Sequence, residues 1–82
     1  MKRRMSSLAA GEKGFIIAVT NEGSIRRRLM DIGFTPGTRV ECLGKSPLGD
    51  PTASTVKGTV IALRREDAAG IYVEEGGTES WA

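Results

Sequence analysis

A small, mainly β domain is the architecture this 82-residue sequence predicts: an antiparallel barrel of about five short strands with one or two short helices. Three observations predict it. Short segments rich in β-branched and apolar side chains recur between turns marked by glycine and proline. Lys57-Gly58 is a two-residue link of the kind that joins hairpin strands. Only the stretch around residues 25–32 carries a clear helical period. A chain this short buries only about 60% of the surface its unfolded form exposes, so its core is small and a sizeable enclosed active site is not expected.

Along the chain, residues 1–7 are polar and are expected to be loose, with Ser6 or Ser7 capping a short helical turn that holds Leu8. Residues 13–20 read as a strand because Phe15, Ile16, Ile17 and Val19 favour the pleated conformation, and Asn21-Glu22-Gly23 then turns the chain. Ile25, Leu29 and Ile32 recur at steps of four and three, which at about 100° per residue places them on one face of an amphipathic helix. Ser24 is its expected N-cap and Gly33 its left-handed stop. With Gly33 at C′, Phe34 becomes C″ and Leu29 becomes C3, the pair whose apolar contact seals a Schellman ending, so Phe34 is expected in the core.

Thr35-Pro36-Gly37-Thr38 reads as a type II turn, since proline pre-sets φ at the second position and glycine accepts positive φ at the third. Residues 39–43 follow as a strand with Val40 and Cys42 inward. Residues 50–56 and 59–63 flank the hairpin turn, and Ile61 and Leu63 share a face. Thr52 and Ser54 stand where apolar residues would alternate, so that strand is expected to lie at an edge or to pack poorly, and to be open to pairing with a second copy in a weak homo-oligomer. Glu66 and Asp67 suit the positive end of a short helix over residues 65–69 that Gly70 stops, and Ile71-Tyr72-Val73 closes the sheet. The domain thus spans residues 1–75, and the tail 76–82, which carries Trp81, is expected to be disordered.

Taken together, IRRRLMDIGF, Pro36-Gly37 and Pro47-Leu48-Gly49-Asp50 resemble the signature of the FeoA family, the small cytosolic ferrous iron transport protein A. Leu8, Gly11, Gly14 and Ile16 are similar to that family's opening pattern, and Lys57-Gly58 to its hairpin turn. Ile61-Ala62-Leu63-Arg64-Arg65-Glu66 looks like the segment before its last short helix, so the resemblance runs from Leu8 to Val73. It implies an SH3-like barrel and a non-enzymatic cytosolic adaptor or regulator of bacterial ferrous iron uptake. The implied partner is the cytoplasmic part of a GTP-hydrolysing membrane transporter. On this resemblance the partner-binding residues are Arg26, Arg27 and Met30 on the helix and Pro47, Leu48, Gly49 and Asp50 in the loop.

The arginines, Leu48 and Asp50 also have plainer readings. Consecutive arginines at 26–28 diverge by about 100° per step, so Arg27 points farthest from the core, either onto a solvated face near Asp31 or towards an acidic partner. Leu48 sits between turn formers, either exposed as an anchor or folded inward as a cap on the barrel while Asp50 bonds the turn.

Twelve basic and ten acidic residues give a net charge of +2, with a basic head at Lys2, Arg3 and Arg4 offset by Glu74, Glu75 and Glu79. That field is weak for a nucleic-acid binder, and no nucleic-acid partner is expected, although a small barrel that binds RNA by backbone contact remains an alternative. The second alternative is a regulatory module similar to the SH3-like domain of iron-dependent transcriptional repressors, which the same residues also resemble. There is no histidine and one cysteine, so no transition-metal site, disulfide framework or Cys-His catalytic set is expected. Cys42 is expected to be a small core residue, and a hard cation held by Asp31, Asp50, Glu66 and Asp67 matches no loop motif. No phosphate loop occurs, no cofactor is implied, no apolar run is long enough to span a bilayer, and a single cysteine fits a reducing compartment, so the cytoplasm is the expected location.

Overall fold

Strand alternation decides what goes inside this molecule, and six strands carry it. The computed structural model describes residues 2–45, 47 and 50–75. In chain order these form β1 (Lys2–Arg4), a 3-10 turn at Met5–Ser7, β2 (Lys13–Val19), α1 (Gly23–Ile32) and β3 (Arg39–Lys45). They continue as β4 (Thr52–Val56), β5 (Thr59–Leu63), α2 (Arg65–Ala68) and β6 (Ile71–Glu74). All pairings are antiparallel, in the spatial order β1-β6-β2-β3-β4-β5. Inward side chains of β2, β3, β4, β5 and β6 meet Met5, Leu8, Leu29 and Phe34 in one apolar cluster, so the sheet wraps round a single core. Among the described residues β5 does not pair back to β1, and the sheet keeps two edges.

Several local expectations hold. Val40 and Cys42 are fully buried on β3, and Leu63 is buried on β5 with Ile61 packed partly against the same cluster. Lys57 and Gly58 have φ of 51° and 79°, the positive pair of a type I′ turn that matches the twist of the strands it joins. The Thr38 N–H donates to the Thr35 carbonyl at 3.0 Å with Gly37 at φ 90°, as a type II turn requires.

Three expectations are corrected. Residues 2–4 are not loose: they pair with Tyr72, Val73 and Glu74 as β1, so β6 is an interior strand and not the last one. Arg3 explains the docking, because its guanidinium donates to Glu12 at 2.9 Å, to Glu75 at 2.8 Å and to the Ser7 carbonyl at 2.7 Å. Neither Ser6 nor Ser7 caps the 3-10 turn; the Ser7 hydroxyl donates back to the Arg4 carbonyl, and Leu8 is buried just beyond. The third correction concerns β4, which lies between β3 and β5 with Ser54 only 2% exposed; the edge strand is β5. The tail at 76–82, with Trp81, lies outside the described residues.

Candidate functional site

α1 is the least embedded large element. Its first turn lacks a side-chain cap, because the N-cap is Glu22 and Ser24 lies inside the helix instead of ahead of it. Its end is well made: the Gly33 N–H donates to the Met30 carbonyl at 3.1 Å and the Phe34 N–H to the Leu29 carbonyl at 2.9 Å, the two bonds of a Schellman motif. Gly33 has φ 127°, and Phe34 is completely buried beside Leu29 in the core. Leu29 is nevertheless the only fully buried residue of α1; Met30 and Ile32 are half-buried, and Ile25 is 46% exposed.

Two faces of α1 therefore remain available. On one, Arg26, Arg27, Met30 and Asp31 line a shallow depression, and among the described residues Arg27 and Asp31 form no ion pair across it. On the other, Ile25, Arg28, Leu29 and Ile32 face Ile61 and Leu63 of β5, and Arg64 and Asp67 at α2 complete a hollow of about 90 Å³. That volume takes an apolar side chain. The helical period thus names the right residues, but the domain covers only part of the stripe.

Pro47 is an exposed turn residue, and Leu48 and Gly49 lie outside the described residues, so the choice between anchor and cap rests there. Asp50 holds the fold together locally, since its Oδ1 accepts the Arg65 N–H at 2.9 Å and so satisfies one of the donors left open at the start of α2. This pins the loop to α2, whose neighbour Arg64 borders the hollow beside β5. The predicted site residues accordingly fall in two places, Arg26, Arg27 and Met30 on the far face of α1 and Asp50 at the foot of α2.

Sequence reasoning missed the exposed β5 edge, where Val60 is 62% exposed, and missed Arg64 and Arg28 as its charged neighbours. The available signal was the uncharged run Thr59–Leu63 set between Lys57 and Arg64. Among the described residues no three histidine, cysteine, aspartate or glutamate side chains gather where they could hold a metal ion. Glu66 and Asp67 face Arg64, at 3.5 Å and 3.9 Å, and Asp31 lies across α1 from them. No helix among the described residues is long and apolar enough to cross a membrane.

Comparison with known proteins agrees with this geometry. The sequence model of the FeoA domain matches residues 3–75. A fusion of Fe(2+) transport protein A with the Fe(2+) transporter FeoB from Porphyromonas gingivalis (strain ATCC BAA-308 / W83) is 37% identical over 71 residues, 87% of this chain. The chain spans only 8% of that protein's length. Among solved structures, the FeoA protein of Chlorobium tepidum superposes with a TM-score of 0.86 at 36% identity, over 92% of this chain and 71% of that one. The FeoA of Stenotrophomonas maltophilia, an SH3 domain protein solved in complex with zinc, gives 0.77 at 29% identity, over 90% and 89% of the two chains. A manganese-dependent transcriptional repressor reaches 0.83 at 16% identity, over 92% of this chain and 42% of that one, which shows a shared fold alone. With the FeoA domain model covering residues 3–75 and solved FeoA proteins, one of them described as an SH3 domain protein, superposing on its six-stranded sheet, this chain is a member of the FeoA family.

Proposed function

We propose that the chain is a cytoplasmic, non-enzymatic adaptor of ferrous iron uptake that binds the cytoplasmic part of the membrane GTPase transporter. The observation that carries this reading is the Porphyromonas gingivalis fusion, in which a homologous domain and FeoB are parts of one polypeptide. Domains joined in one polypeptide commonly act at the same place, since the fusion raises the effective concentration of one for the other. The geometry supports contact: α1 commits one fully buried residue to the domain and offers two faces, one of them beside a hollow of about 90 Å³ that takes a side chain. On this reading Arg26, Arg27 and Met30, with Pro47, Leu48, Gly49 and Asp50, contribute to recognition.

Titration of the chain with the isolated cytoplasmic domain of the ferrous iron transporter from the same cell tests the proposal. A saturable one-to-one complex in the micromolar range is expected, and Arg27→Glu is expected to weaken it by about tenfold, the loss of one favourable interfacial charge and its replacement by a repulsive one. No complex at high micromolar concentration overturns the reading.

A further inference from the structure

The two edges of the sheet are built differently. β1 is three residues long and consists of Lys2, Arg3 and Arg4, the short, charged design that prevents an edge from pairing with other chains. β5 is five residues long, Thr-Val-Ile-Ala-Leu, with no charge, no proline and no bulge against β4. The type I′ turn makes Val56 and Thr59 a hydrogen-bonded pair, so alternation directs the N–H and C=O of Val60 and Ala62 away from β4. No strand lies beyond them among the described residues. Val60, at 62% exposure, and the exposed Ala62 leave this edge open, and Ile61, Ala62 and Leu63 border the hollow shared with α1 at its side.

The ends of this edge are positive. Lys57 stands at the hairpin tip, Arg64 and Arg65 at the other end, and Arg28 across the hollow. Among the described residues only Arg64 of these four has acidic partners, Glu66 at 3.5 Å and Asp67 at 3.9 Å, and its own side chain stays exposed. A second copy is a poor occupant: antiparallel self-pairing about Ile61 sets Lys57 opposite Arg65 and Gly58 opposite Arg64, so like charges meet at both ends.

We infer that β5 is a docking edge for an extended segment of the transporter's cytoplasmic part, which adds to the sheet as a seventh strand. The segment is apolar at its centre, places one apolar side chain in the hollow between Ile25, Ile32 and Ile61, and carries carboxylates at both ends. Main-chain bonds to Val60 and Ala62 supply affinity, and the flanking cations supply register and selectivity. This rests on the adaptor reading above and specifies how the partner is held.

Residue-resolved amide hydrogen exchange on the full chain, alone and saturated with the transporter's cytoplasmic domain, tests it. The Val60 and Ala62 amides should exchange fast in the free chain and slow by at least about tenfold in the complex, while those of Thr59 and Ile61, already paired to β4, change less. Ala62→Pro, which deletes an outward donor without touching the β4 ladder, should weaken binding by about tenfold while circular dichroism stays unchanged. The pair Lys57→Glu with Arg65→Glu should weaken it further and flatten its salt dependence. A complex that forms without protecting Val60 and Ala62 overturns strand addition and leaves the adaptor reading standing; the absence of any complex overturns both. Should Ala62→Pro disturb the fold, the exchange pattern of the unaltered chain still decides.

Discussion

At the residue scale, two positions show how one side chain, or the lack of one, fixes distant segments. Arg3 joins the 3-10 turn, the start of β2 and the end of β6 by its contacts with Ser7, Glu12 and Glu75. Glu12 answers with both oxygens on Arg3 and one also accepting the Ala9 N–H at 2.6 Å. The hydrogen bond from Arg3, and then that from Ala9, hold the Glu12 carboxyl below its ordinary value. A carboxylate depressed in the folded state stabilises at pH values above its unfolded value and loses that contribution as pH falls through the folded one. Replacing Glu12 by Gln should therefore lower the melting temperature at pH 7, and the gap from the unaltered chain should close as pH falls below about 4.5, where an unfolded glutamate protonates. A gap that stays constant down to strong acid contradicts the mechanism. Gly14 works by absence: a Cβ there would stand 2.9 Å from the Glu74 carbonyl oxygen of β6. Gly14→Ala should destabilise by about 1–3 kcal/mol, read from urea unfolding, because backbone must move to admit it. The sequence displays Gly14 as part of a pattern, but the reason for it is a strand near the other end of the domain and is invisible locally.

Elements that terminate themselves are legible, and elements defined by distant partners are not. The Schellman ending at Gly33-Phe34 follows from residues within one turn of each other, and the Lys57-Gly58 hairpin from two; both are present as the sequence predicts. The N-terminus of α1 is shifted by a residue or two because Ser24 satisfies a composition rule without making the cap bond. β1 escapes notice for a different reason: Lys2, Arg3 and Arg4 have no β pattern, and only β6 makes them a strand. β4 is misplaced because Thr52 and Ser54 look like an edge, yet they sit between two neighbours. For the candidate site, the arginine face of α1 is readable from periodicity, whereas the open backbone of β5 depends on strand order. The unequal use of the α1 stripe gives a contrast to measure: Phe34→Ala should cost about 3–5 kcal/mol, since it empties a fully buried aromatic position, while Ile25→Ala, at 46% exposure, should cost under about 1 kcal/mol. Similar losses at the two sites would mean that Ile25 is more embedded than its exposure indicates.

For the whole molecule, an open six-stranded sheet raises the question of what each edge does. β1 covers β6, whose Ile71 and Val73 are fully buried and whose Tyr72 ring lies 5.8 Å under the Arg4 guanidinium. A chain beginning at Met5 lacks that cover and keeps every residue of the apolar cluster. Two consequences follow from losing a ladder and exposing another. The melting temperature should fall by at least about 4–8 °C, which corresponds to roughly 1 kcal/mol in a domain of this size, because several backbone hydrogen bonds revert to water. The bared β6 edge, unlike β1, carries apolar side chains on its flank and should promote association, seen as a rise in sedimentation coefficient with concentration that the full chain does not show. If the shortened chain melts unchanged and stays monomeric, β1 contributes neither stability nor protection. On the proposed adaptor reading, retained binding of the shortened chain to the transporter's cytoplasmic domain is, by contrast, the expected result, since β5 is the opposite edge of the sheet from β1.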